Sequence, residues 1–211
     1  KQHRAGIVGA AAAVAARKLG KPVRLLLDRA TDTAMIGKRH PYLGHYALAF
    51  TPEGKFQGYR LDLFSDAGDT YDCSFAVMDL GLMMADGAYL TPNFQAAGTV
   101  YKTNKTSNTA FRTFGTIQPY MMLEEAIEHA AHILGKPPEE LRRQNLYRSG
   151  GLYEFDRAPY GQALQWCVIR ELWDELEKRA DFQARAAAVA SFNQENRYRK
   201  RGLAMLPLKY G

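Results

Sequence analysis

The residues of this sequence best suited to binding a ligand lie between Lys102 and Gln118. Polar, small and glycine residues dominate this stretch, and its apolar residues follow neither the period of a strand nor that of a helix. Phe111 and Phe114 flank the cation Arg112. Because backbone amides in a turn just before a helix favour an anionic ligand, the stretch could be a binding loop. The same residues also fit a hairpin loop whose two phenylalanines pack into the core.

Acidic residues and histidines follow this stretch and raise the question of a metal site. Glu125 precedes His129 by four residues, and Glu128 precedes His132 by the same spacing. Di-iron helical bundles need a glutamate three residues before a histidine on two helices, and neither histidine here has one. The spacing favours a charged, solvated helix face, so we predict no metal ligand.

The two cysteines, Cys73 and Cys167, are far apart and lie outside any C-x-x-C motif. They predict neither an iron–sulfur cluster nor a structural zinc site. The glycines of the stretch from Gly6 to Gly9 lack the G-x-G-x-x-G spacing, so we expect no flavin or nucleotide loop there. Two thiols in 211 residues suit a reducing compartment, and we expect a cytoplasmic protein.

The composition is that of a globular chain with one domain or two small ones, with 46% hydrophobic and 24% charged residues. No apolar run reaches the roughly 18 residues that span a bilayer. The net charge of +6 raises the possibility of a nucleic-acid partner. However, the densest basic cluster, residues 197–201, has Tyr198 as its sole aromatic residue, and a solvated helix end is the better interpretation.

Patterns along the chain predict an α+β fold of mixed helices and antiparallel strands. Helices are predicted over Arg4–Leu19 and over residues 75–84, 118–134, 162–179 and 181–198, with a short helix after Pro137 and Pro138. Strands are predicted over residues 23–28, 46–50, 55–64, 94–100 and 202–208, with a loop at 65–69. The turn at residues 51–54 makes a hairpin, on which the helices 4–19 and 118–134 should pack their apolar stripes.

Residues 107–118, SNTAFRTFGTIQ, resemble the active-site loop of the molybdenum hydroxylases, the xanthine dehydrogenase and aldehyde oxidase family, whose usual form is SNTAFRGFGGPQ. Residues 39–43, 91–93, 102–104, 140–147, 192–196, 201–202 and 209–211 resemble that family in the same order. The resemblance covers nearly all of the chain but a small part of a family polypeptide. It implies part of a molybdopterin-binding region, with a core over residues 1–150 and a helical extension and closing strand over 151–211.

The resemblance also implies roles for individual residues. The main-chain amide of Arg112 would lie near an oxygen ligand of the molybdenum centre, with Phe111 beside it. The ring of Phe114 would orient an aromatic substrate. The family's glycine-rich cofactor loop would precede residue 1, and its catalytic glutamate would follow residue 211. The chain itself would therefore hold no catalytic residue and would need companion polypeptide to complete the site.

Several positions depart from the family pattern. Gln2 and Leu80 stand where purine oxidisers have a glutamate and an arginine, so the resemblance implies aldehydes or apolar heterocycles as substrates. Thr113 and Thr116 replace glycines, and a β-branched residue at positive φ would be strained. Two functions follow as hypotheses. The chain is a segment of a molybdenum-dependent oxidoreductase, or it is a catalytically silent relative that serves as a structural subunit of a larger assembly.

Overall fold

A three-stranded mixed sheet with strand order β1-β2-β3 organises the fold. β1 (Tyr42–Phe50) and β2 (Phe56–Gly68) form the predicted antiparallel hairpin. In its turn the Gly54 amide donates to the carbonyl of Thr51 at 2.8 Å, and Gly54 has φ +94°, which glycine adopts without strain. β3 (Asn93–Lys102) runs parallel to β2, because a helical crossover separates the two strands in sequence.

Seven helices surround this sheet in the computed structural model, which describes residues 4–148, 157–164 and 166–210. They are α1 (Arg4–Leu19), α2 (Arg29–Met35), α3 (Ser74–Met83), α4 (Ile117–Leu134), α5 (Pro138–Asn145), α6 (Ile169–Arg179) and α7 (Phe182–Glu195). The α+β class is confirmed. The boundary predicted near residue 150 falls at residues 149–156, outside the described residues, and stays a prediction.

The core lies between the inner face of the sheet and the helices α3 and α4. Tyr59, Leu61 and Leu63 alternate along β2 and are buried, as their spacing predicts. α4 covers β1 with a stripe of buried residues that includes Leu123 and Ile127. Side chains from the C-terminal part of the chain join the same core, namely Trp173, Phe182 and Met205.

Buried Arg142 on α5 ties that helix to α4. Its side chain is 1% exposed and forms ion pairs with Glu124 at 2.7 Å, with Glu139 at 3.3 Å and with Glu128. The Tyr89 hydroxyl donates to Glu124 at 2.6 Å. Glu125, Glu128, His129 and His132 are exposed, as predicted for this face of α4, and the Glu128 carboxylate also pairs with Arg142.

The prediction that α1 packs on the hairpin is wrong. The helix forms where predicted, but none of its residues from Gly6 to Leu19 is buried, and Ile7, Val14 and Leu19 are 69%, 68% and 65% exposed. An alanine-rich segment has a high intrinsic helix propensity, so it forms a helix without needing to pack against another element. Its apolar stripe has no cover among the described residues.

Two predicted strands are also wrong. Residues 23–28 and 202–208 are irregular, because no strand among the described residues offers them a hydrogen-bonded partner. The second segment is followed by Lys209, whose ammonium pairs with buried Asp86 while the Tyr147 hydroxyl donates to the same carboxylate at 2.6 Å. Burial raises the pKa of Asp86 even though Lys209 opposes the shift.

The remaining differences concern element ends. β2 continues through residues 65–68, where a loop was predicted, because β3 supplies a partner along that length. α6 begins at Ile169 and not at residue 162, since Gly161 at φ +93° forms a turn that joins Arg157 to Ala163. α7 ends at Glu195, short of residue 198.

Helix α2 was missed by the sequence-based prediction, although Asp28 caps it by accepting a hydrogen bond from the Thr31 amide at 2.9 Å.

Candidate active-site loop

The loop between β3 and α4 contains a run of left-handed backbone at its centre. Thr113, Phe114 and Gly115 have φ values of +72°, +47° and +95°. The Phe114 amide donates to the carbonyl of Phe111 at 2.8 Å. The strain predicted at Thr113 is therefore present, at a cost of roughly 1–2 kcal/mol for a non-glycine residue. The strain predicted at Thr116 is absent, because its φ of −79° is ordinary helical backbone.

Helix α3 packs directly against the backbone of this loop. A Cβ on Gly115 would lie 2.1 Å from the carbonyl oxygen of Val77, and one on Gly81 would lie 3.0 Å from the carbonyl oxygen of Gly115. Both contacts require a residue without a side chain or a shift of backbone. Leu80 precedes Gly81 on α3 and is half-buried, so the structure brings this predicted substrate-binding residue close to the loop.

A backing segment, residues 37–40, runs behind the loop from α2 to β1. A Cβ on Gly37 would lie 2.5 Å from the carbonyl oxygen of Ser107, so glycine permits the close approach. The carbonyl of Lys38 accepts from the Thr109 amide at 2.9 Å, and the carbonyl of His40 accepts from the side-chain amide of Gln118 at 3.0 Å. The backing segment therefore contacts the loop near both of its ends.

Arg39 of the backing segment contacts the centre of the loop. Its Nη1 donates to the carbonyl oxygen of Arg112 at 2.6 Å and to Oγ1 of Thr113 at 3.1 Å. The guanidinium carbon also lies 4.9 Å from the centroid of the Phe111 ring, within the range of a cation–π interaction. Sequence reasoning noted residues 39–43 as similar to a family motif but gave Arg39 no role.

Side chains before α3 hold the first half of the loop. Asp72 accepts a hydrogen bond from the Thr109 hydroxyl, and Cys73 Sγ accepts one from the Ala110 amide at 3.2 Å. Burial raises the pKa of Asp72, but hydrogen bonds from Thr109 and Cys73 outweigh it, and the net pKa is lowered. Asp72 therefore stays ionised and continues to accept at neutral pH.

His40 is buried beneath the loop, and its Nε2 forms a hydrogen bond with Ser74 Oγ at 2.7 Å. Burial lowers the pKa of His40, and the nearby carboxylates of Asp72 and Asp66 oppose that shift only in part. The imidazole is therefore neutral at physiological pH.

Main-chain groups at the tip of the loop remain available to a ligand. The amides of Phe111, Arg112 and Thr113 donate no hydrogen bond to any residue that the structure describes. Successive amides in a turn form a concavity suited to anions and oxygen ligands. The buried Gln118 Oε1 likewise has no donor among the described residues. The open amide donors fit an oxygen-rich, anionic cofactor, whereas the open acceptor fits an N–H group of such a cofactor's organic part.

The candidate site residues are thus partly brought together. Phe111 and Phe114 are half-buried in one turn, and Arg112 between them is exposed, with no ion pair to any described side chain. Gln2 lies outside the described residues. Among the described residues, no group of three histidine, cysteine, aspartate or glutamate side chains is placed to hold a metal ion.

A separate cavity of about 690 Å³ adjoins the start of the loop, between α1, α2 and the segment 25–27. Ile7, Leu26, Met35 and Thr109 are among its lining residues, which do not include Phe111, Arg112, Phe114 or Leu80. The candidate site residues that the structure describes therefore lie outside this cavity. No helix within the described ranges has the length and apolar character needed to cross a bilayer.

Comparison with known proteins decides the family. A model of the molybdopterin cofactor-binding domain matches residues 1–146. The chain belongs to this family. Across all 211 residues the chain is 41% identical to the xanthine dehydrogenase of Oryza sativa subsp. japonica, and over 210 residues it is 39% identical to aldehyde oxidase 1 of Macaca fascicularis. In each case the chain spans 15% of the relative's length.

Solved structures agree with this family assignment. The segment superposes on the aldehyde oxidoreductase from Desulfovibrio gigas with a TM-score of 0.70 and 28% identity, covering 88% of this chain and 19% of that chain. The reconstituted CO dehydrogenase from Oligotropha carboxidovorans, at 23% identity and a TM-score of 0.68, shares the fold. The resemblance seen in residues 107–118 is therefore confirmed at the level of the family.

Proposed function

We propose that this chain supplies one wall of the cofactor and substrate site of a molybdenum-dependent oxidoreductase that hydroxylates aldehydes or aromatic heterocycles. The observation that carries the proposal is the turn at Phe111–Phe114, in which the amides of Phe111, Arg112 and Thr113 donate to no described residue and so can donate to an oxygen-rich ligand. The family match to a molybdopterin cofactor-binding domain supports the same ligand. The remaining parts of the enzyme, or other subunits, would complete the site.

The proposed roles follow from where each group lies. When bound, the molybdenum centre supplies the oxygen-atom transfer and the redox chemistry. The Arg112 amide would donate a hydrogen bond to an oxygen of that group, as a preorganised dipole that needs no rearrangement during the reaction. Phe111 is held against the Arg39 guanidinium beside it. The half-buried ring of Phe114 offers a face or edge to an aromatic substrate and restricts its orientation.

The uncharged substrate-side residues support an aldehyde or apolar heterocycle and not a purine. Leu80 on α3 is half-buried beside the loop and brings no cation to it. A negative charge that develops on a purine oxygen would therefore lack a partner there. Gln2 would likewise bring no carboxylate. The similar proteins include both xanthine dehydrogenase and aldehyde oxidase 1, so the proposed substrate class rests on Leu80 and Gln2.

A second function is favoured by one specific observation, the strained Thr113. A loop that has exchanged glycine for a β-branched residue at φ +72° has lost conformational freedom at the centre of the site. In this alternative the chain is catalytically silent and serves as a structural or interaction subunit of a larger assembly.

The two proposals differ in what the full-length protein should contain. We expect the purified full-length protein to hold about one molybdenum per chain by inductively coupled plasma mass spectrometry, and to oxidise benzaldehyde faster than xanthine. Absence of both molybdenum and turnover, in protein expressed with an intact cofactor pathway, would support the silent subunit. Efficient xanthine oxidation would instead contradict the substrate class.

A further inference from the structure

The centre of the loop has little to hold it in its unusual conformation. Residues 111–113 accept three hydrogen bonds from the rest of the loop. The Phe114 amide donates to the carbonyl of Phe111, and the amide and hydroxyl of Thr116 both donate to the carbonyl of Thr113. Among the described residues, Arg39 alone donates a side-chain hydrogen bond to residues 111–113 from outside the loop. A strained turn persists only where surrounding contacts over-determine it.

The three contacts of Arg39 reach three successive residues. Nη1 binds the carbonyl of Arg112 and the hydroxyl of Thr113, and the guanidinium plane lies over the ring of Phe111. No aspartate or glutamate among the described residues pairs with Arg39, so its charge is directed to a carbonyl dipole and an aromatic face. The hydroxyl that it binds belongs to Thr113, and a glycine there could not offer this acceptor.

From this geometry we infer that Arg39 is a positioning residue that fixes the orientation of the peptide between Arg112 and Thr113 and of the Phe111 ring. By binding the 112 carbonyl it sets the plane of the 112–113 peptide, and so aims the Thr113 amide that belongs to that plane. By binding Thr113 Oγ1 it offsets the left-handed strain at that residue. Arg39 would act through the loop and need not touch substrate or cofactor. The catalytic readout of this inference rests on the proposed function, but the conformational readout does not.

Hydrogen–deuterium exchange of the full-length protein tests the conformational part. Arg39→Met should speed exchange of the Phe114 and Thr116 amides about tenfold, since a charge-assisted hydrogen bond to the loop is lost. Arg39→Lys keeps the charge without the planar group, so its effect should be about threefold. Thr113→Val removes one acceptor at nearly constant shape, and adding it to Arg39→Met should change nothing further, because both remove the same contact.

Arg60→Met is the matched control, because Arg60 lies on the exposed sheet face and pairs with Asp62. Exchange of the loop amides in Arg60→Met should equal that of the wild type. Loop exchange within twofold of wild type in Arg39→Met would overturn the inference. So would equal acceleration in the loop, in β2 and in α4, since that pattern describes general destabilisation and not positioning.

Turnover provides the second readout if the wild-type protein is active. Misplacement of the loop should lower kcat/KM for an aromatic aldehyde more than for a small aliphatic one, because the larger substrate depends on the ring of Phe114. A uniform loss across both substrates would contradict positioning. A wild-type protein without molybdenum or turnover would refute the proposed function, while the exchange experiment would still decide the role of Arg39.

Discussion

Arg142 and Arg39 show how one side-chain type serves two purposes in one chain. Arg142 is buried among three glutamates that join α4 to α5, so its charge is neutralised in the interior. Arg39 is half-exposed and meets a carbonyl, a hydroxyl and a ring. Removing one partner from the Arg142 cluster would leave an uncompensated buried charge, so this arrangement affects the stability of the fold. The Arg39 arrangement fixes the direction of backbone groups and so concerns the site.

The largest effect is expected at the buried arginine. Arg142→Met leaves Glu124 and Glu139 largely buried without their cation, which should cost about 3–5 kcal/mol of unfolding free energy. Calorimetry should show a fall of roughly 10 °C in the transition of the domain that contains this chain. Arg143→Met is the control, since its 56% exposed side chain pairs with exposed Asp174 and should matter by less than about 1 kcal/mol. Similar losses from both variants would remove the distinction drawn above.

The next largest effect concerns the main chain of Arg112, whose carbonyl oxygen Arg39 binds. Arg112→Pro deletes the amide donor and should lower kcat of the full-length enzyme by about 10²-fold. Arg112→Lys keeps the amide and should have a much smaller effect, because the exposed Arg112 side chain forms no ion pair with a described residue. Steady-state kinetics on one aldehyde decides the matter. Equal loss in both variants would show that the side chain carries the role.

A third arginine, placed beside the loop, sharpens the comparison further. Leu80→Arg adds a cation without adding a carboxylate to pair with it. This cation is therefore available to stabilise a negative charge that develops on the substrate. We expect the ratio of kcat/KM for xanthine to that for benzaldehyde to rise about tenfold. Leu80→Met, which keeps volume without charge, should leave the ratio unchanged. An unchanged ratio for Leu80→Arg would place residue 80 outside the substrate site.

The smallest effect is a dependence on pH beneath the loop. Burial depresses the pKa of His40 below its unfolded value near 6.5, so stability is complete above that pH and is lost as the pH falls towards the folded pKa. Hydrogen exchange in α3 and the loop should therefore quicken, relative to intrinsic rates, between pH 7.5 and 5.5. His40→Gln should reduce that change. His132→Gln, at an exposed histidine, should retain it in full.

Sequence reasoning succeeded where local chemistry decides the structure. The Thr51–Gly54 turn, the alternation along β2 and the glycine that ends α4 each carry their own signal. It failed for residues 23–28 and 202–208, because a strand depends on a partner that the segment itself does not specify. It also failed for α1, whose apolar stripe predicted packing that its helix propensity does not require.

The candidate site was predictable in part for the same reason. Thr113 in place of glycine signalled strain from the sequence, and the structure shows it. The contacts of Arg39 could not be predicted, since 73 residues separate it from the carbonyl that it binds. The Asp28 side chain was a readable signal for α2, the helix that leads into the backing segment.

The order of the strands has a consequence for synthesis on the ribosome. β1 and β2 are joined by a short turn and can pair within about 1–10 μs of emerging. The apolar face of that hairpin is covered by α4, which ends roughly 65 residues after β2, or about 3–13 s later at translation speeds of 5–20 residues per second. During those seconds Tyr59, Leu61 and Leu63 are open to water on the nascent chain. The hairpin is therefore still uncovered while the candidate active-site loop, which precedes α4, is being made.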